Sequence, residues 1–369
     1  MTFSPPTRPL PPVLARMALG LLLAGLGSVL TWRGVTPVPT PGLLGVTTPV
    51  SLPLDGPLPR DLAGSATLRL EGDRVDIDLG ALPPGSPQVL SGRAVHRDRN
   101  PLSVEAQRRG RQLSASLGLR VQPLQGQPFD RGRVVVGGPE PLQHRLSLAL
   151  TRRIPLTLST QTSSGAQTLN LVPLRLRALT VRTSSGSQAV TLPGRAGGPF
   201  SLISASGDIA VTASPGASPE ALRVNTQSGD LSLNLAGARL QALGVGSLSG
   251  DVRLTLPGVH QRGSVTTASG DVTVSAPPGT LGGNLDIRTQ SGDVTLRVPP
   301  TLRVRVRFTD RDTLTLPPGT PPATAPQLDV FVDSSSGDFA LQTLDGQPVE
   351  VPPPPEAPSE VPPGSSSRP

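Results

Sequence analysis

Between about residue 150 and residue 345 apolar and polar positions alternate, and a recurring Ser-Gly pair interrupts the alternation. The glycines are Gly165, Gly186, Gly207, Gly229, Gly250, Gly270, Gly292 and Gly337, at spacings of 21, 21, 22, 21, 20, 22 and finally 45 residues. Seven positions before the glycine stand apolar residues such as Leu179, Phe200, Leu222, Leu243, Leu285 and Val330. Five before it stand Val181, Leu202, Val224, Val245, Val265, Ile287 and Val332, and three before it is a small hydroxylated residue such as Thr183 or Ser204. After the turn, pairs such as Ile209/Val211, Leu231/Leu233 and Val294/Leu296 occupy positions two and four. A period of two predicts strands with one face buried. No sustained 3.6-residue period occurs between 60 and 345, so the region is expected to be all-β.

Inward positions on either side of Ser-Gly are three residues apart instead of two or four, which demands a corner. Glycine adopts the positive φ such a corner needs without the cost of a Cβ. Asp follows six of the eight glycines, and its carboxylate suits hydrogen bonding to exposed turn backbone. One such unit buries too little to offset the ordering of its own backbone, so neighbours must extend the core and pair the strands. The expectation is a parallel β-helix or β-solenoid of about nine coils with a ~21-residue repeat, a rod about 43 Å long at ~4.8 Å per coil. The long final interval has Val304, Val306 and Phe308 at its middle, which reads as a degenerate copy.

Residues 61–150 alternate without the repeat and are assigned as an N-terminal β cap that covers the open edge of the first coil, with early irregular coils as a variant of that reading. One hairpin is expected at Leu68–Leu79 across Glu71-Gly72-Asp73, and a second across Arg109-Gly110. Residues 34–60 carry a proline every few positions and read as an extended spacer, and the tail at 346–369 reads the same way. Residues 1–33 hold an uncharged run from Met17 to Trp32 between Arg16 and Arg33. Its 16 residues fall between a signal-peptide core and a bilayer span, so it reads as a cleaved signal peptide or an N-terminal membrane anchor, with a buried soluble helix as the alternative that the flanking Pro-rich stretches disfavour. By either of the first two routes the bulk of the chain is expected outside the cytoplasm, in the cell envelope or secreted.

Composition narrows the chemistry. There is no Cys or Tyr, there are three His (His96, His144, His260), and all 33 basic residues are Arg. Thiol nucleophiles, Cys-ligated zinc, Schiff bases and lysine-tethered cofactors are excluded, and no cofactor is expected. The net charge of +7 comes from clusters at Arg93, Arg97 and Arg99, at Arg108, Arg109 and Arg111, at Arg152 and Arg153, and at Arg303, Arg305 and Arg307. The last set alternates with apolar residues and so lines one outer face of a strand, fit for an anionic polymer or a phospholipid surface. Nucleic acid fits less well, because aromatic stacking surface is scarce. In-register coils would also align Asp208, Asp230, Asp251, Asp271 and Asp293 in a row, the one metal-site alternative, although one carboxylate per coil is thin ligation for calcium. A polysaccharide lyase or hydrolase on a β-helix is a different reading, disfavoured by one Trp, no Tyr and only six Phe.

The repeated T-x-S-G-D-V-x-L units (Thr226 to Leu233, Thr267 to Val274, Thr289 to Leu296), preceded by two variant copies at 153–193, resemble the bacterial adhesin-like domain of unknown function and its toastrack relatives in envelope-stress proteins. The resemblance covers about 150–345. It implies a β-solenoid and a non-catalytic envelope or surface module, and it carries no catalytic residue. Ala166 and Ser187 depart from it where Asp is usual. The expected partner is an envelope or surface component, either an anionic polymer or a protein, and a membrane where the N-terminal segment is retained. An envelope-stress scaffold acting through protein contacts is the companion reading.

Overall fold

The structure, a computed structural model, describes residues 45–54, 63–121, 144–309 and 324–347, together with the backbone of the short strands Phe129–Asp130, Arg133–Val134 and Leu314–Thr315. The predicted export segment and residues 348–369 of the predicted tail lie outside the described residues.

Each Ser-Gly pair, and the Asp73-Arg74 corner that precedes the repeat, joins two strands that enter different sheets. Strands before the pair form a leading sheet, in spatial order Ser65–Gly72, Leu156–Ser164, Arg175–Ser185, Pro199–Ser206, Ala221–Ser228, Arg239–Ser249, Val259–Ser269, Gly283–Ser291 and Gln327–Ser336. Strands after it form a trailing sheet, Val75–Ala81, Gln167–Asn170, Gln188–Leu192, Ile209–Ala213, Leu231–Asn234, Val252–Thr255, Val272–Ser275, Val294–Val298 and Phe339–Thr343. Together they make nine coils, numbered here in that order, and successive coils pair parallel and in register.

Register stacks equivalent side chains. Val181, Leu202, Val224, Val245, Val265, Ile287 and Val332 are direct neighbours from coil to coil and all are buried. Each such side chain contributes about 1.5–3 kcal/mol by leaving water. Beside the corner, where the sheets converge, only small side chains fit, and Thr162, Thr183, Ser204, Thr226, Ser247, Thr267 and Thr289 form a buried row there. Thr162 Oγ1 donates to Thr183 Oγ1 at 3.2 Å, while the hydroxyls of Ser204, Ser247 and Thr289 have no partner among the described residues.

Three expectations are corrected. Residues 68–79 are no hairpin: Ser65–Gly72 pairs with Leu156–Ser164, Val75–Ala81 pairs with Gln167–Asn170, and the segment is coil one. Alternation is the same for a hairpin and a coil, and in coil one the corner carries Arg74 at φ 46° with Val75 at the place on which Gly165 stacks. The spacer begins to fold earlier than read, because Gly45–Pro53 is a strand antiparallel to Gln88–Arg97. It ends the trailing sheet, and at an edge the missing amides of Pro49 and Pro53 are tolerated. The degenerate copy is not a coil between eight and nine. Coil nine stacks directly on coil eight, and Arg303–Phe308 lies beyond coil nine, parallel to Gln327–Ser336. Phe308 then meets Phe339 edge-on, with ring centroids 5.1 Å apart.

The second predicted hairpin forms as Leu102–Arg109 with Gln112–Leu119, and the latter strand covers coil one in the leading sheet. In the trailing sheet His144–Leu150, Gln88–Arg97 and Gly45–Pro53 cover the same end.

Candidate functional site

The repeat glycines have φ between 124° at Gly165 and 156° at Gly207. A Cβ on Gly250 would run into the carbonyl oxygen of Gly229, and one on Gly229 into that of Gly207. The recurrence is therefore a requirement of stacking. The Asp that follows reaches the next coil instead of its own turn. Asp208 Oδ1 accepts the amide of Asp230 at 2.9 Å, Asp230 Oδ1 that of Asp251 at 3.0 Å, Asp251 Oδ1 that of Asp271 at 3.1 Å, and Asp271 Oδ1 that of Asp293 at 2.9 Å. Asp293 continues to Asp338 at 2.9 Å. Asp76 opens the row by accepting the amide of Ala166 at 2.9 Å; without a Ser-Gly pair in coil one, the repeat alignment missed it. Arg253 reaches Asp251 at 3.1 Å and Asp230 at 3.9 Å, which relieves the like-charge row. One oxygen of each of these carboxylates is thus engaged with backbone, and no group of three or more acidic or His side chains among the described residues is placed to hold a metal.

A groove of about 850 Å³ crosses the outer face of the leading sheet from coil four to the strand beyond coil nine. Its floor is low because the outward positions there are small: Ser201, Ala221, Ala242, Gly244 and Ser264. Its rim carries Arg223, Arg262, Asn284, Asp286, Asp329, Phe331 and Arg307. The two carboxylates have partners. Arg288 grips Asp286 through Nη2–Oδ2 at 2.8 Å and Nε–Oδ1 at 3.3 Å, a pairing that raises the Arg288 pKa. Gln327 Nε2 donates to Asp329 Oδ1 at 2.9 Å. Arg223, Arg262 and Arg307 have no acceptor among the described residues, so three free cations face one groove. Phe331 stays 37% exposed at its end.

The alternating Arg set is borne out in geometry: Val304 and Val306 are buried, Arg305 and Arg307 exposed. Register puts Arg307 beside Phe331 and Arg305 beside Asp329, so this strand walls the groove. The other clusters do not join it. Arg97 is buried in the cap, and Arg108 donates to the Leu54 carbonyl at 2.7 Å. Arg223 and Arg262 were missed because they are isolated in sequence; the signal lay at outward positions six and eight before the repeat glycine. The histidines are scattered and buried. His96 Nε2 meets Thr48 Oγ1 at 2.8 Å, His144 Nε2 meets Asn100 Nδ2 at 3.3 Å, and both ring nitrogens of His260 lack a partner among the described residues. Burial pushes the His260 imidazole below its ordinary pKa.

The profile of the Toastrack DUF4097 family matches residues 129–342, more than half of the chain. The chain belongs to that family. Coils two to eight, the strand that follows coil eight and all but the last residue of coil nine lie within the toastrack match, whereas coil one lies outside it. No curated protein matches the sequence. Among solved structures, a candidate cell adhesion protein from Clostridium sporogenes ATCC 15579 aligns at 8% identity and TM-score 0.24, over 81% of this chain and 100% of that one. A candidate adhesin from Bacteroides fragilis NCTC 9343 aligns at 9% identity and TM-score 0.35, over 80% of this chain and 96% of that one. With identities and scores this low, nothing about function passes from those proteins to this toastrack chain.

Proposed function

We propose that the chain is a non-catalytic module of the cell envelope or cell surface that works by presenting the outer face of its leading sheet to an envelope or extracellular partner. The groove with its three unpaired arginines supports this most directly. Its lining offers charge, hydrogen-bonding groups and an aromatic edge, and no histidine lines it, which suits recognition better than proton transfer. The in-register coils make the face stiff, so little ordering is left to oppose binding. The uncharged run at Met17–Trp32 supports delivery across a membrane.

The test is retention of cell-envelope fractions by the immobilised full chain, compared with Gly244→Phe. A Cβ at Gly244 would make only ordinary side-chain contacts, with Ser264 Oγ at 3.8 Å and Arg223 Cγ at 4.0 Å, so the variant fills the groove without disturbing the coil. Wild type should retain envelope material, chemically unchanged, that the variant does not. Equal retention by both, or by neither, would remove the reading.

A further inference from the structure

We infer that the groove holds a linear acidic polysaccharide, one that carries carboxylates on some of its sugars and lies along the solenoid axis. This rests on the binding face proposed above and adds its occupant. The three free guanidinium groups are strung along the axis: Arg223 in coil five, Arg262 in coil seven, Arg307 on the strand beyond coil nine. At ~4.8 Å per strand, Arg223 and Arg262 stand about 10 Å apart along it, and Arg262 and Arg307 about 14 Å. Such a line selects a ligand long in one dimension, with negative charges separated by uncharged units. Each guanidinium presents the fork that matches a carboxylate.

The rest of the lining decides between polymers. Asp286 and Asp329 stand in the same groove. They repel a chain charged at every unit, such as polyphosphate or nucleic acid, yet accept hydrogen bonds from sugar hydroxyls. Ser201, Ser264 and Asn284 add further partners for hydroxyls, and the exposed Phe331 ring offers one apolar face for a sugar ring. Nucleic acid would want a series of stacking platforms. An extended peptide would seek an open strand edge, but this groove lies on a sheet face whose backbone is already paired from coil to coil.

The experiment titrates the full chain with hyaluronate, which carries a carboxylate on alternate sugars, and with dextran, polyphosphate and single-stranded DNA by calorimetry at physiological salt. Hyaluronate should bind and dextran should not. Arg223→Gln with Arg262→Gln should weaken hyaluronate about tenfold or more. Arg175→Gln with Arg239→Gln removes the same charge outside the groove, and should change it less than about twofold. Gly244→Phe should abolish binding. Equal loss in both Arg pairs would mean diffuse charge attraction and overturn the site, and tighter binding of polyphosphate or DNA would overturn the ligand class. If hyaluronate fails while Gly244→Phe still abolishes retention of envelope material, the carbohydrate assignment falls and the binding face stands. If Gly244→Phe changes neither, the face itself falls.

Discussion

The amide nitrogen of Asp251 lies 3.0 Å from Oδ1 of Asp230, one coil away. A carboxylate expected to cap its own turn instead staples its coil to the next, and the row from Asp208 to Asp338 repeats the contact. The acceptor oxygen matters more here than the charge, because the row is at the surface and its members repel one another.

Asp230→Ala therefore leaves the Asp251 amide to water and should cost about 1 kcal/mol, while Asp230→Asn keeps an oxygen at the acceptor position and should fall within about 0.5 kcal/mol of wild type. Urea denaturation of both variants checks this. Equal losses would mean that charge, through Arg253, carries the contact.

Glycine is required at the corner for two separate reasons, a φ of 144° at Gly250 and the Gly229 carbonyl in the path of a Cβ. Gly250→Ala should lose about 3 kcal/mol or more, or fail to fold. Gly216 also has positive φ, at 78°, but a Cβ there meets nothing within 4 Å, so Gly216→Ala should lose only about 1 kcal/mol. Expression and urea midpoints of the pair separate stacking from backbone strain.

The coil was legible because its code is local: alternation for the strands, Ser-Gly for the corner, a fixed period for the stack. What the sequence hides is which neighbour a strand chooses. Leu68, Leu70, Val75, Ile77 and Leu79 alternate equally well in a hairpin, and only their partners 90 residues away, in coil two, make them a coil. The groove was illegible for a related reason. Arg223 and Arg262 are far apart in sequence and meet on one face only through the register, and a low floor at Gly244 and Ser264 looks like nothing in particular until the coils are stacked.

His260 is a buried imidazole with neither nitrogen paired among the described residues. Burial lowers its pKa in the folded chain, so the folded state binds fewer protons than the unfolded one. Its neutral form is fully favoured above the unfolded value of about 6.5, and stability is lost as pH falls from there through the lowered value. Register places Leu240 at the equivalent position of the preceding coil, so His260→Leu should be accommodated. The variant should be about 1 kcal/mol or more stabler at pH 7, and its advantage should grow toward pH 5. Melting at both pH values checks this, and an advantage that shrinks on acidification would show that another group dominates.

At the far end, the order in which strands stack departs from the order in which they are made. Ser291 of coil eight and Ser336 of coil nine are direct register partners, although the strand Arg303–Phe308 lies between them in sequence. Neighbouring parallel strands put such a pair about 4.8 Å apart at Cα, inside the range a disulfide spans, whereas an intervening strand would put it near 10 Å, outside that range. The chain has no cysteine of its own, so Ser291→Cys with Ser336→Cys reports on this one contact. Mild oxidation of the folded double variant should give an intramolecular bond, seen by mass and by faster migration without reductant. Thiols that stay free under those conditions would restore Arg303–Phe308 to a place within the stack, and with it the reading of the long interval as two ordinary coils.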